Sequence, residues 1–524
     1  MDTLNGSSWD VVIAGTGLQP ALLALALSRS GKKILHLDRN KYYGGREAAL
    51  SLSEVAEWAT LQSAGGVPTS FRNITIHKPD DSSEGPKLAA PRSYSLSLSP
   101  CLLYTRSALL PALVSSKAHE QLEFLAVGSW FVWRPSPSEQ NIPSEGSLMR
   151  VPNSREDIFS DSSLSLRAKS ALVKFLRFVA EYQNEEKRET WEAYRDAPFA
   201  DLLSKQFKVP ADFHGPLLAL TMSSLPSEDV KTEFALQSIH RHLTSMGVFG
   251  AGFSAVLPKY GGLSEVVQVA CRAAAVGGAI CALDRRIESV EKVTDATGGT
   301  QGVQIRVSLQ DGDTLATSSI FGTNDQLPNS EADVTSAKFA VCSRSTTIVG
   351  SKLLPLFPAS AEGSPPPSAA VAVFPSGSLA VNTLETTTHP VSVLVHAGDT
   401  GECPQGQCVV YAMTMQESPQ ASQILKQAVD SLLSSVDAAA PVLWSMQYEV
   451  CLTSSEPAVV QDPALTGLYR FVESPLDTVF DDRTLASVKE AWKLVTGETD
   501  DTFLSFGDRN VEADEDAAQA ELDE

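Results

Sequence analysis

Short apolar runs and glycine-containing turns alternate along the first forty residues. Residues 10–15 form an apolar run closed by a glycine, which is typical of a buried strand in a parallel sheet. The next turn leads into an apolar segment at 20–27, where Pro20 stands near the first turn of a predicted helix. A second apolar run occupies residues 33–38. This succession predicts a strand–turn–helix–strand unit of an α/β fold.

Apolar residues recur at helical spacing in the middle of the chain. Between residues 168 and 179 they stand three or four positions apart, and charged residues take the opposite side. Further helices are predicted at 199–207, 211–223 and 227–246, so we interpret residues 125–247 as an all-helical insertion. The first of these helices contributes four side chains to a predicted apolar face: Leu172, Phe175, Leu176 and Val179.

Short apolar runs return after residue 284 and predict a strand-rich region. The predicted strands are 303–309, 339–341, 371–374, 391–396 and 409–415. Helices are predicted at 102–125, 421–436 and 485–495. The segment 66–96 is rich in Ser, Pro, Gly and Asp, so we interpret it as an insertion or a mobile loop.

These elements predict a multi-layer α/β fold with mixed sheets and a smaller all-helical domain inserted in it. The predicted divisions are an α/β domain in two parts, 1–124 and 248–498, the helical domain 125–247, and a C-terminal tail, 499–524. Seven of the last fourteen residues are acidic, and the tail is therefore predicted to be disordered.

Composition narrows the function classes. With 41 basic and 63 acidic side chains, the net charge of −22 argues against a broad surface that neutralises nucleic-acid phosphates. No apolar run approaches the roughly 18 residues that a membrane helix needs, and residues 1–10 lack the features of a secretory signal. The seven cysteines are scattered, without a metal-binding cluster, which suits a reducing compartment. We therefore expect a cytosolic protein without a metal.

The first turn resembles a dinucleotide-binding turn with one departure. Such a turn uses three glycines in the pattern Gly-x-Gly-x-x-Gly, and this chain has Gly15, Gly17 and then Pro20. Pro20 adds bulk and removes an amide at the phosphate end, whereas Asp38 falls near the position of an acid that would bind a ribose. We expect an inherited scaffold without a bound flavin, and an FAD-dependent oxidoreductase is the alternative. No phosphate loop, nucleophile elbow or redox cysteine pair is present.

Three sequence blocks, in the same order along the chain, resemble the Rab GDP-dissociation inhibitor and Rab escort protein superfamily. They are residues 10–18 (DVVIAGTGL) with 31–45 (GKKILHLDRNKYYGG), residues 97–109 (SLSPCLLYTRSAL), and residues 257–265 (LPKYGGLSE) with 272–280 (RAAAVGGAI). The resemblance implies a flavoprotein-like α/β domain without catalytic residues. It further implies a cytosolic protein that binds GDP-bound Rab GTPases and handles their geranylgeranyl lipid.

The resemblance also implies the residues that bind the Rab. Tyr43, Glu265 and Arg272 fall at positions of the family's Rab-binding platform, and Tyr260 lies in the loop before Glu265. A phenol and a planar guanidinium are suited to contacts with another polypeptide. Glu265 and Arg272 are seven residues apart, about two helical turns, so one helix face can present both. The alternative is an ion pair or network within this chain's own surface.

The predicted helical domain resembles the part of the family that shelters the prenyl chain. Leu172, Phe175, Leu176 and Val179 are then candidates for the wall of a lipid pocket. Burial of each CH2-sized group contributes about 0.8 kcal/mol, so even partial sheltering of a C20 chain is energetically large. The alternative for each of the four is a place in the ordinary core of a helix bundle.

Two branches of the family differ in task. An escort protein presents new Rab to the α/β heterodimer of Rab geranylgeranyltransferase and delivers the lipidated product to a membrane, whereas a recycling inhibitor only extracts prenylated Rab. The extra length near 66–96 and after 285, with the Ser-Arg-x-Asp-x-Phe pattern at 154–159, favours the escort branch. In animal escort proteins, the position that corresponds to Gly277 is an aromatic residue that helps to dock the transferase. The transferase contacts of this chain are therefore left open.

Overall fold

The structure is a computed structural model, and its described residues cover most of the chain. They are residues 4–64, 69–79, 85–136, 146–151, 165–250, 252–293, 304–328, 339–359, 365–380, 385–416, 419–453, 457–472, 478–498 and 502–507. The predicted motif at 154–159 and the tail from residue 508 lie outside the described residues.

Eleven α-helices are found in this part of the chain. They are α1 (Leu18–Leu27), α2 (Leu52–Ser63), α3 (Leu109–Ser115), α4 (Leu166–Glu181), α5 (Glu185–Trp191), α6 (Phe199–Asp201), α7 (His214–Ala219), α8 (Thr232–Ser245), α9 (Leu263–Val276), α10 (Gln420–Val436) and α11 (Arg483–Thr496). None of the helices in the described ranges combines the length and the apolar character needed to span a bilayer.

The strands form two large sheets and one small one. They are β1 (Ser7–Ala14), β2 (Ile34–Leu37), β3 (Ala49–Leu50), β4 (Phe71–His77), β5 (Leu96–Ser97), β6 (Leu103–Tyr104), β7 (Phe124–Pro135), β8 (Gly146–Arg150), β9 (Ala255–Pro258), β10 (Ile280–Ala282), β11 (Ile287–Val293), β12 (Gln304–Leu309), β13 (Thr314–Thr323), β14 (Phe339–Val349), β15 (Ala369–Phe374), β16 (Val391–Ala397), β17 (Cys408–Thr414), β18 (Val442–Thr453), β19 (Ala458–Gln461) and β20 (Leu468–Val472).

The first large sheet, sheet 1, is built around the N-terminal unit. Its order is β10-β2-β1-β13-β12-β11, and β20 pairs with both β13 and β19. The pairs from β10 through β2 and β1 to β13 are parallel, whereas β12 joins β13 in the antiparallel direction. The predicted strand–helix–strand unit is thus confirmed by β1, α1 and β2, and the sheet is mixed as predicted.

The second large sheet, sheet 2, has the order β4-β18-β14-β17-β16-β15-β7-β9-β6, with β8 paired to β7. All its neighbouring strands are antiparallel except β15 and β7, which are parallel. The five strands predicted after residue 284 are confirmed as β12, β14, β15, β16 and β17, and α10 and α11 are confirmed as helices.

Three predicted stretches differ from the structure. The helical segment begins at α4 and not at residue 125, because the Phe- and Trp-rich run of β7 is buried between β15 and β9 inside sheet 2. Residues 102–125 contain the short strand β6 before α3. The stretch 66–96 is not only loop, because β4 pairs with β18 at the edge of sheet 2.

Helix α1 of the N-terminal unit is buried along its whole length. All ten of its residues are buried, and it packs against α9 and α11. Its sequence is apolar on every side, which is typical of a helix enclosed by protein. The segment around its first turn is therefore fixed between sheet 1 and neighbouring helices.

The helical segment has an aromatic core of its own. Phe175 of α4 is fully buried, with its ring centroid 5.8 Å from that of Phe199 and 5.3 Å from that of Phe207. Helix α8 connects this core to sheet 2, since His242 lies edge-on to Trp130 of β7 at 4.8 Å. The helices and sheet 2 therefore share one continuous apolar cluster.

Replacing Phe175 with Ala should destabilise the protein by about 3–5 kcal/mol, because it removes a buried ring and leaves a cavity between Phe199 and Phe207. Urea unfolding followed by circular dichroism measures this loss. Leu166→Ala is the control on the same helix, since Leu166 is 85% exposed and its loss should change stability by no more than about 0.5 kcal/mol. Equal effects of the two substitutions would contradict the packing described.

Candidate functional site

The turn between β1 and α1 is closed by the chain's own side chains. Gly15 has a φ of +98°, and a Cβ there would lie 2.9 Å from Cγ of Gln326. Gly17 is the N-cap of α1, and a Cβ there would lie 3.1 Å from Oε2 of Glu47. Pro20 is buried in the first turn of the helix, where its missing amide breaks no helical hydrogen bond. The two glycines are therefore needed for the close approach of protein groups.

Glu47 carries the charge at the start of α1. The backbone N–H of Leu18 donates to Oε2 of Glu47 at 3.2 Å. Burial raises the pKa of Glu47, and the neighbouring Arg46 and the Leu18 amide oppose that rise. A helix N-terminus attracts anions, and in dinucleotide-binding folds the cofactor's pyrophosphate is bound at this place. Sequence reasoning missed Glu47, although an acidic residue just after the Gly44-Gly45 pair was visible.

Asp38 is held inside the same turn. Its carboxylate accepts hydrogen bonds from the amide and the hydroxyl of Thr16, at 2.7 and 2.6 Å, and from the amide of Asn40 at 2.7 Å. Side-chain Nε2 of Gln326 donates to it at 3.3 Å. Burial raises the pKa of Asp38 to about 6 despite these bonds. The acid that the spacing assigns to a ribose thus binds protein groups.

Tyr43 lies on the loop that follows β2. The amide of Gly44, the next residue, donates to Oγ1 of Thr16 at 3.0 Å, which fixes this loop to the turn. Tyr43 is half-buried and packs against the apolar cluster that contains α1 and α9. Burial raises the pKa of its phenol, and the nearby thiols Cys281 and Cys271 act in the same direction. The structure therefore brings Tyr43 to the middle of α9.

Glu265 and Arg272 both belong to α9, as their spacing predicts. Arg272 is exposed, and its Nη1 donates to Oε1 of Gln121 at 3.2 Å. Burial raises the pKa of Glu265, and the positive charge of Arg272 opposes that rise. The two side chains are therefore electrostatic neighbours on α9, and Tyr43 packs against the apolar cluster to which this helix belongs.

Tyr260 has a different set of neighbours. Its backbone has a φ of +71°, its amide donates to the carbonyl of Thr400 at 2.8 Å, and its side chain is 50% exposed. The ring lies against Gly401, where a Cβ would come within 2.4 Å of Cδ1 of the tyrosine. The ammonium of Lys259 lies 5.0 Å from the ring centroid. These contacts place Tyr260 beside the connection between β16 and β17.

A cleft of about 630 Å³ opens where α1 and α9 end. Its lining includes Arg29, Lys117, Arg272 and Gly277. A Cβ at Gly277 would lie 2.7 Å from Cβ of Ser28 and 2.8 Å from its carbonyl oxygen. No side chain fits at position 277 unless the end of α1 moves. The glycine there is a packing requirement of this chain.

The start of the predicted C-terminal tail forms part of this cleft. Phe506 lies under the guanidinium of Arg29 at 4.5 Å, and Nη1 of Arg29 donates to the carbonyl of Gly507 at 3.3 Å. Leu504 is buried. The prediction of disorder from residue 499 is therefore wrong for residues 502–507, because they supply apolar side chains that pack against the domain.

The four candidates for the lipid-pocket wall lie in the helical core. Phe175 and Val179 are fully buried, Leu172 is nearly so, and Leu176 packs against the same cluster. Their surroundings are other core side chains, as the bundle-core alternative requires. Their contact with a lipid stays a prediction.

Comparison with known proteins identifies the family. Residues 4–322 match the model of the family described as GDP dissociation inhibitor. This range is more than half of the chain and includes the turn at Gly15, the loop that carries Tyr43, and all of α9.

Two relatives extend the similarity. The chain is 30% identical over 425 residues to the Saccharomyces cerevisiae protein named Rab proteins geranylgeranyltransferase component A, covering 81% of this chain and 64% of that protein. It is 28% identical over 337 residues to the Arabidopsis thaliana protein named Rab escort protein 1, covering 58% of each. The matched regions thus span less than two thirds of the length of these relatives.

A solved structure has the same fold. The crystal structure of Rab GDI from Plasmodium falciparum superposes with a TM-score of 0.65, at 18% identity, over 95% of this chain and 100% of that one. At this identity the similarity concerns the fold alone, and it confirms the predicted multi-layer α/β architecture. Together with the family match, these observations establish that the chain belongs to the GDP dissociation inhibitor family.

Proposed function

We propose that the chain is a Rab escort protein. It binds Rab GTPases in their GDP-bound form, presents them to Rab geranylgeranyltransferase and delivers the prenylated Rab to membranes. The observation that carries this proposal is the match to a relative named geranylgeranyltransferase component A, which extends over 81% of the chain and beyond the family model. The chain supplies no catalytic residue in this scheme, because the transferase makes the bond.

The proposed Rab contacts are the side chains around α9. Arg272 is exposed and offers a planar set of donors, while Glu265 and Tyr43 are half-buried and supply a carboxylate and a phenol. The switch regions of a GTPase change conformation with the bound nucleotide, so a surface that fits one state discriminates against the other. By linkage, binding to the GDP form favours retention of GDP to the same extent.

Tyr260 is a further contact in this proposal. It lies half-exposed beside the β16–β17 connection, in the loop that precedes α9. The exposed ring and the adjacent Lys259 offer an amphipathic contact.

The proposed lipid shelter requires movement of the helical segment. Leu172, Phe175 and Val179 are enclosed by other side chains, so a geranylgeranyl chain must separate the helices before it contacts them. The lost core contacts are offset by burial of lipid CH2 groups, at about 0.8 kcal/mol each. Such a pocket forms on binding and closes when the membrane takes the lipid.

We propose that the fold works without flavin. Glu47 lies at the helix N-terminus where a pyrophosphate would bind, and Asp38 is bound to Thr16 and Asn40. A dinucleotide would bring its phosphates against the half-buried carboxylate of Glu47 and would have to displace it. These residues do not fit the cofactor, which argues against an oxidoreductase.

A recycling inhibitor is the second candidate. The description of the matching family and the fold of the Plasmodium falciparum structure favour it as much as they favour an escort protein. The two tasks share the proposed Rab platform and differ in whether the transferase is engaged.

A reconstituted prenylation assay distinguishes the two candidates. With unmodified Rab-GDP, Rab geranylgeranyltransferase and tritiated geranylgeranyl diphosphate, addition of the chain should stimulate lipid transfer at least about tenfold, because the transferase requires a presented Rab. A matched reaction with the chain but without Rab gives the background. Extraction of prenylated Rab from vesicles without any stimulation would assign the chain to the recycling branch.

Arg272→Ala should weaken the affinity for GDP-bound Rab at least about tenfold, because arginines are enriched among the residues that contribute most to binding energy at interfaces. Isothermal titration calorimetry measures the affinity, and the melting temperature should stay unchanged since Arg272 is exposed. Arg306→Ala removes an exposed arginine from β12 and serves as the charge-matched control. Equal affinities of the wild type and of both variants would remove Arg272 from the platform.

A further inference from the structure

We infer that Glu47 is a built-in replacement for the cofactor phosphate, and that its carboxylate positions the loop that presents Tyr43. The evidence is the bond from the Leu18 amide to Oε2 of Glu47, at 3.2 Å, across a sequence separation of 29 residues. The helix N-terminus that binds a cofactor phosphate in dinucleotide-binding folds here binds a carboxylate of the same chain.

The start of α1 has no other acidic group of its own. Its N-cap is Gly17, which has no side chain to accept a bond, and its first turn contains no acidic residue. A ten-residue helix with this N-terminus presents unsatisfied amides and a positive dipole end in a buried place. The carboxylate of Glu47 accepts a hydrogen bond from the Leu18 amide, and its negative charge interacts favourably with the helix dipole.

The same carboxylate lies at the end of the loop that carries Tyr43. The amide of Glu47 donates to the carbonyl of Gly44 at 2.8 Å, which closes a tight turn, and the amide of Gly44 donates to Thr16 at 3.0 Å. Gly45 lies near Gly17, since a Cβ added at Gly45 would be 3.8 Å from the amide nitrogen of Gly17. The loop that carries Tyr43 is therefore fixed at two points. Thr16, which precedes α1, accepts a hydrogen bond from the amide of Gly44, and Glu47 accepts one from the amide of Leu18, the first residue of α1.

The local charges favour an anion at this place. Burial raises the pKa of Glu47, whereas the guanidinium of the buried Arg46 opposes that rise and the helix end contributes a further positive potential. Asp325 acts in the opposite direction, by raising that pKa. Removal of the Glu47 carboxylate should leave this environment without its anion, in a space bounded by the glycines at 17 and 45.

The inference predicts chemical rescue. Glu47→Ala should lower the melting temperature, and sodium pyrophosphate at constant ionic strength should raise it again by about 2–4 °C in a saturable manner. The wild type should not respond, because its own carboxylate fills the site. Differential scanning calorimetry measures both, with sodium chloride at matched ionic strength as the comparison.

Glu54→Ala is the matched control. Glu54 is a carboxylate at the start of another helix, α2, where it accepts a bond from the amide of Ser51 at 2.8 Å on the exposed surface. Helix α2 does not follow the dinucleotide-like turn, so pyrophosphate should not restore the stability of Glu54→Ala. A rescue of both variants to the same extent would reduce the effect to general anion binding and overturn the inference.

The role in positioning Tyr43 has its own measurement. Glu47→Gln keeps the shape and an acceptor oxygen but removes the charge, and it covers the case in which Glu47→Ala does not fold. Hydrogen exchange in Glu47→Gln should quicken in the loop 38–48 and at the start of α1, while α4 keeps its wild-type rates. Unchanged exchange in that loop would contradict the positioning role.

Rab binding forms the last arm and rests on the proposed function. The affinity of Glu47→Ala for GDP-bound Rab should fall about tenfold and recover with pyrophosphate. If pyrophosphate restores the stability of Glu47→Ala while neither this variant nor the wild type binds Rab measurably, the proposed function is refuted. That result would still support the replacement of the cofactor phosphate by Glu47. Stoichiometric flavin absorbance in the purified wild type would overturn the replacement itself.

Discussion

The contact of the half-buried Glu47 carboxylate with the first amide of α1 is the constraint on which the rest of the structure depends. All residues of helix α1 are buried, so the amides at its N-terminus and its dipole need partners within the protein. Glu47 supplies the missing acceptor, and Asp38 ties the preceding turn to the loop after β2. Glu47 and Asp38 thus make hydrogen bonds within the protein at positions where dinucleotide-binding folds bind their cofactor.

We propose that the edge of the α/β domain beside this closed turn is the surface that binds another protein. The loop that carries Tyr43 is fixed to the turn and packs beside α9, whose exposed face presents Arg272. The glycine at position 277 allows the end of α1 to approach α9 closely, and Phe506 and Gly507 line the cleft beside it. The helical segment shares a core with sheet 2, so a lipid that enters it must compete with the packing of Phe175.

The sequence pattern predicted the parts of the fold in which local and tertiary preferences agree. The unit of β1, α1 and β2 and the strands β14 to β17 have strong apolar runs, and Glu265 and Arg272 lie on one helix as their spacing indicates. Strand β7 was missed because its Phe- and Trp-rich run has no alternation when both faces are buried. Glu47 was missed because it acts across 29 residues, a distance that no motif spacing encodes.

The central claim is that a flavoprotein-like domain serves as a docking surface for a Rab GTPase. The most direct test is a crystal structure of the chain in complex with a GDP-loaded Rab. The account predicts that Tyr43, Glu265 and Arg272 are buried in the interface, with α1 and the Glu47 contact unchanged. A complex in which these three side chains face solvent, and the Rab contacts another part of the chain, would contradict it.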